Sequence, residues 1–296
     1  MIMFSHIRRS IHQMCGNTIA SKLTTQFART SRIMITNPHL RKSIIYSIKE
    51  QECIPESESV HSYFDKKLYS TQCCIKLLNS RSLNAVAKYK SSSTCVLNFA
   101  CSTEPGGGVL EGSVAQEESL CRSSTLYPCL SDVKMYEEFY YPHICSRNFI
   151  NNDDCIYTPC VTVFQTDELF PKLLDKKEWI HTNIITCCAP ALNHTRLLGQ
   201  SLYELHFKRL CRILDIAASK KNDVIILGAF GCGAFRNNPY IVSEAMMNVI
   251  KHYRYVFKKI VFAIPSNDKS DSNYAIFKKA VLSHFIETQK NEKTIQ

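Results

Sequence analysis

Val96-Leu97-Asn98-Phe99-Ala100, which runs through Cys101 to Pro105 into Gly106-Gly107-Gly108 and on to Gln116-Glu117-Glu118, is the stretch whose reading decides the fold. Four apolar residues around one Asn predict a short buried strand. The three glycines after Pro105 turn without a Cβ penalty, so their backbone N–H groups can approach an anion such as a phosphate. The amide and two carboxylates that follow are more than a plain turn needs, and they stand where they can act on a ligand held by the glycines. A second aliphatic run, Val224-Ile225-Ile226-Leu227, empties into Gly228-Ala229-Phe230-Gly231-Cys232-Gly233-Ala234-Phe235. Two strands that end in glycine loops suit an open α/β sheet, which binds ligands at the carboxyl ends of its strands, and a diphosphate is the economical guest. No Gly-Lys-Ser/Thr follows either cluster, and the six-residue dinucleotide fingerprint with its later acid is absent, so both of those nucleotide-binding readings fall away.

Working outward, strands at 94–100, 184–189, 223–228 and 259–264 alternate with helical patterns, which predicts a layered α/β sandwich. Ser201 and Glu204 have capping-box spacing ahead of Leu205, Leu210, Ile213, Leu214 and Ala217. Asn238 caps a helix with Pro239 at its first position, and a last helix is expected from Tyr274 to Phe285. The 296 residues, 45% hydrophobic, are enough for one enzyme domain with its own core. Fifteen cysteines without an apolar secretory segment read as small buried hydrophobes in a reducing, intracellular compartment. No Cys-x-x-Cys pair occurs and the histidines lack ligand spacing, so no metal is expected; no run is long and apolar enough to span a bilayer.

Charge is uneven: the first 49 residues hold eight Lys and Arg and no acid, out of a formal net charge of +10. Arg8, Arg9, Arg29 and Arg32 among Ser, Thr and aliphatics fit a mitochondrial presequence, Ile11 to Phe27 equally fits a first helix of the domain, and clustered cations also suit a polyanion. Residues 1–59 are therefore read as a basic N-terminal extension, either a targeting segment or the first helices, and 60–290 as the catalytic domain. Cytoplasm or nucleus is the expected location, with the mitochondrion as the alternative.

The run from Val96 to Leu126, with Gly-Gly-Gly and Gln-Glu-Glu in this spacing, resembles the microbial-type poly(ADP-ribose) glycohydrolases of the macrodomain superfamily. Ile184 to Pro190, the 228–235 loop and Val261 to Ile264 extend the similarity over roughly residues 60 to 287. The resemblance implies a three-layer α/β/α macrodomain-like sandwich with a mixed central sheet, no cofactor, and ADP-ribose, poly(ADP-ribose) or ADP-ribosylated proteins as partners, nucleic acid only as a modified substrate. It implies Glu118 as catalytic acid, Glu117 as holder of a ribose hydroxyl, Gln116 as loop brace and Asn98 as a ribose contact. It further implies Gly106, Gly107, Gly108 and Val109 around ribose and diphosphate, Gly231, Cys232, Gly233 and Ala234 as the second diphosphate loop, and Phe235 on the distal ribose. Cys101 and Ala229 depart from Asn positions of relatives.

The implied reaction breaks a bond between an anomeric carbon and a hydroxyl oxygen through an oxocarbenium-like state, so Glu118 must hold a proton, with burial and the adjacent Glu117 expected to raise its pKa. An isolated Glu-Glu pair would read as solvated charges opening a helix; the preceding glycines favour a site. Cys121 or Cys101 as nucleophile with His143 or His194 as base has no supporting motif. Hydrolysis of poly(ADP-ribose) leads. The alternatives are a reader that binds ADP-ribose without cleavage and a mono-ADP-ribosyl hydrolase.

Overall fold

Asn37 is the hinge of the first two helices. Its N–H donates to the Ile33 carbonyl and ends α1 (Ile19–Thr36), while its Oδ1 accepts from His39 N and Leu40 N and opens α2 (Pro38–Glu50), whose first residue is a proline. At the other end of α1 the Thr18 side chain accepts from Ser21 N. The computed structural model describes residues 18–90, 92–266 and 272–285. Arg8, Arg9 and the first part of the expected 11–27 helix lie outside them. Strands β1 (Glu52–Ile54), β2 (Cys74–Leu78), β3 (Thr94–Phe99), β4 (Cys155–Val163), β5 (Ile180–Cys187), β6 (Val224–Leu227) and β7 (Lys259–Ala263) follow the order β1-β4-β5-β3-β6-β7-β2. The long helices after α2 are α3 (Gln116–Ser123), α4 (Gly199–Ser219), α5 (Pro239–His252) and α6 (Asn273–Phe285).

Two units share β3. The first comprises the described residues up to Pro55 with Asn98–Asn148 and Asp154–Cys188; the second comprises Glu56–Leu97, Phe149–Asp153 and the described residues from Ala189 on. In the first, β4 pairs antiparallel with both β1 and β5. In the second, β3, β6, β7 and β2 are paired in parallel. The sheet is therefore mixed, as expected, and its inner parallel strand β6 is a continuous apolar run in which every residue is buried.

The helix α1 packs by spacing. Leu23, Phe27 and Met34 fall on one face and are buried, with the Phe27 ring edge-on to Tyr127 at 5.1 Å and Met34 clustered with Leu40, Phe164 and Trp179. Buried Gln165 donates to Thr30 Oγ1 on the same helix. A chain beginning at Arg41 loses all of these contacts. Burying a Leu or Phe is worth ~1.5–3 kcal/mol, so the truncated protein is expected to melt about 10 °C lower or to aggregate. A thermal melt beside the full chain checks this, and an unchanged melt would make the segment separable.

Several elements differ from expectation. The strand predicted from 184 begins at Ile180, and β1, β2 and β4 were not anticipated. Pro159 reads against a strand, yet β4 carries it at a register shift between Thr158 and Val161, where Cys160 takes φ +55° and donates its N–H to Asn183 Oδ1. The Ser201–Glu204 capping box does not form. The helix starts three residues earlier, Leu198 caps without a side-chain bond, and Glu204 accepts instead from Gln200 Nε2. Asn238, by contrast, caps α5 as predicted by accepting from Tyr240 N.

Candidate active site

Gln116, Glu117 and Glu118 form the first turn of α3, where acids offset the helix dipole. A solvated first turn would expose them. Here Glu117 is 2% and Glu118 6% exposed, which removes the reading of two solvent-facing charges. Gln116 Oε1 accepts from Phe99 N at 2.9 Å, tying the helix start to the end of β3. Glu117 is held at both oxygens: Oε1 accepts from Asn98 Nδ2 at 3.1 Å and Oε2 from Cys101 N at 2.8 Å. Asn98, fully buried, also donates to Thr186 Oγ1 at 3.2 Å. Glu118 is held at one oxygen only. Its Oε1 accepts from Gly108 N at 2.9 Å, and its Oε2 is buried without a hydrogen-bond partner.

The glycine N–H groups, expected to reach outward to an anion, turn inward. Gly107 N donates to the Glu104 carbonyl, Val109 N to the Gly106 carbonyl, and Gly108 N to Glu118. Val109 itself is fully buried, so its side chain packs in the core of the loop. The Gly-Gly-Gly segment is thus a socket for the carboxylates in this structure.

Burial pushes the Glu117 carboxyl up to about 8 from its ordinary 4.5, against the pull of the Cys101 and Asn98 donors, with the Glu118 charge adding to the rise. A folded-state value above the unfolded one means that the folded chain keeps a proton the unfolded chain releases. The stabilisation from this proton is complete below about 4.5 and is lost as the pH rises to about 8. The melting temperature of the wild type relative to Glu117→Gln is therefore expected to fall across that window. Melts at several pH values check it, and a constant difference would refute it. Thiol chemistry is disfavoured: burial pushes Cys121 well above its ordinary value and also raises Cys101, so neither is readily a thiolate. His143, the suggested base, has its Nδ1 at 2.7 Å from the Phe139 carbonyl. Among the described residues no group of three or more His, Cys, Asp or Glu can hold a metal, and no helix is long and apolar enough to cross a membrane.

The family model of the microbial-type PARG catalytic domain matches residues 20–166, the segment that contains the whole acid socket. Over these residues the chain is similar to the microbial-type PARG family. Among solved structures it is similar to poly(ADP-ribose) glycohydrolase from Thermomonospora curvata, with 24% identity, a TM-score of 0.76 and coverage of 88% of this chain and 99% of that one. The same bacterial enzyme bound to the inhibitor ADP-HPD gives a TM-score of 0.74 at 24% identity, over 88% of this chain and 99% of that one. The enzyme from Deinococcus radiodurans in complex with ADP-ribose is 26% identical, with a TM-score of 0.71 over 81% of this chain and 97% of that one. No curated protein matches the sequence.

The remaining positions suggested by the PARG resemblance lie in the second unit. Gly231 is buried, Cys232 and Phe235 are half-buried, and Gly233 and Ala234 are exposed at the loop tip. What fixes this loop escaped the sequence reading. Buried Asn237 donates to the Pro190 and Gly231 carbonyls at 2.8 and 3.0 Å, and its Oδ1 takes the Nε2 proton of His206 at 2.8 Å. His206, buried on α4, has its pKa lowered by burial to about 4 and stays neutral. The two Asn neighbours, Asn237 and Asn238, divide the labour: the first braces the loop and the second caps the helix. Gly231-x-Gly233 followed by two Asn was a visible signal, but only the fold shows which Asn turns inward.

Proposed function

We propose that this chain hydrolyses the O-glycosidic ribose–ribose bond of poly(ADP-ribose) and releases ADP-ribose, with Glu118 as general acid. One observation carries the choice of acid. Of the four carboxylate oxygens in the socket, Glu118 Oε2 is the one that is buried with no internal partner, and so the one left to a substrate. The reaction calls for a proton on Oε2. As the bond between the anomeric carbon and the leaving ribose oxygen breaks, that proton passes to the oxygen and an oxocarbenium-like ribose remains. Water attacks the anomeric carbon, and its proton returns to the Glu118 carboxylate. Gly108 N–H orients the carboxyl throughout, while Glu117, fixed by Asn98 and Cys101, offers its edge to a ribose hydroxyl.

Incubation of the purified chain with labelled ADP-ribose polymer and with a mono-ADP-ribosylated protein tests the reading. Release of ADP-ribose from the polymer is expected. Binding without release would make the chain a reader, and release from the mono-modified protein alone would make it a mono-ADP-ribosyl hydrolase. Ligand contacts of the 231–235 loop, protein acceptors and a reducing intracellular compartment belong to the same proposal, supported by the family resemblance and the cysteine-rich composition.

A further inference from the structure

Arg122 lies one helical turn beyond Glu118 on α3 and is fully buried. Desolvating a guanidinium is costly unless its donors are engaged, and Nη1 donates to the Ser113 carbonyl at 2.6 Å. Ser113 in turn closes the loop: its N–H donates to the Gly108 carbonyl at 2.9 Å, and its side chain fills the space that a Cβ on Gly108 would need, so that a Cβ there would meet Ser113 Cβ at 2.9 Å. Gly108 N–H holds Glu118 Oε1. The contacts thus form a ring that leaves α3 at Arg122, crosses Ser113 and Gly108, and returns to α3 at Glu118.

We propose that Arg122 is a positioning residue for the reaction, acting through Ser113 and Gly108 to keep the Glu118 carboxyl aimed at the scissile bond; this rests on the hydrolase reading. The ring explains why a cation is buried beneath an acid pair: a guanidinium spans from the helix to the loop carbonyl, and a neutral side chain of similar length cannot make so strong a bond to it. The alternative role, plain stabilisation, predicts a lower melt with normal turnover in the folded protein.

Kinetics of Arg122→Lys, Gly108→Ala and the double variant decide. Each single change is expected to lower kcat at least tenfold with KM moved less than about threefold. The double variant is expected to be no slower than the slower single one, because a ring opened once is already open. Arg122→Lys keeps the buried charge; should it fail to fold, Gly108→Ala opens the ring from the surface side and bears the test alone. Full kcat in folded Gly108→Ala, or losses that multiply in the double variant, overturn the proposal. Wild-type turnover tests the hydrolase reading separately. If the wild type binds ADP-ribose without releasing it, that reading fails, and the ring is judged by calorimetry with ADP-ribose, where non-additive losses of affinity uphold it and multiplied losses overturn it.

Discussion

Glu118→Gln is expected to lower ADP-ribose release by ~10²–10⁴-fold, the usual worth of a positioned proton donor. The amide preserves the socket, because its oxygen can still accept the Gly108 N–H that Oε1 accepts at 2.9 Å. What it removes is the transferable proton at the buried second position. ADP-ribose affinity is expected to stay within about threefold, since a loss confined to the transition state leaves ground-state binding intact. Initial rates on labelled polymer and calorimetry with ADP-ribose separate the two quantities. Near-normal turnover in the variant would take the acid role away from Glu118.

Gly107→Val should be nearly as damaging, for a reason that the sequence did not show. From sequence, the expected clash was with a phosphate approaching the glycine backbone. In the structure Gly107 has φ +57°, and a Cβ there would stand 2.6 Å from Glu118 Oε1 and 3.1 Å from Glu117 Oε2. Neither carboxylate can retreat, because both are buried and Glu117 is held at both oxygens. A β-branched residue in the left-handed region adds backbone strain of about 1–3 kcal/mol. The expected result is a drop in kcat of ~10²-fold or more, as for a mispositioned acid, together with a lower melting temperature. A folded variant with unchanged turnover would remove Gly107 from the socket.

The sequence by itself determined the α/β class and the neighbourhood of the chemistry. Strand periods, glycine runs and an acid pair are local signals, and Val96–Glu118 holds strand, loop and helix start within one short segment. Asn238 with Pro239 was legible for the same reason, since a cap is settled by neighbours in the chain. Tertiary structure decided the partners. Asn98 reads as a ribose contact, but its amide is drawn inward by Glu117 and by Thr186, 88 positions away, a pairing no local pattern encodes. The glycine N–H groups read as an anion cradle, yet those of Gly107 and Gly108 close on Glu104 and Glu118, because the turn of α3 brings the carboxylates beneath the loop. β4 was hidden by Pro159, which only a bulge against β5 can accommodate. Arg122 carried no motif at all: a lone arginine in a helix is ordinarily a solvated charge, and its burial against the Ser113 carbonyl depends on a loop that folds back over its own helix.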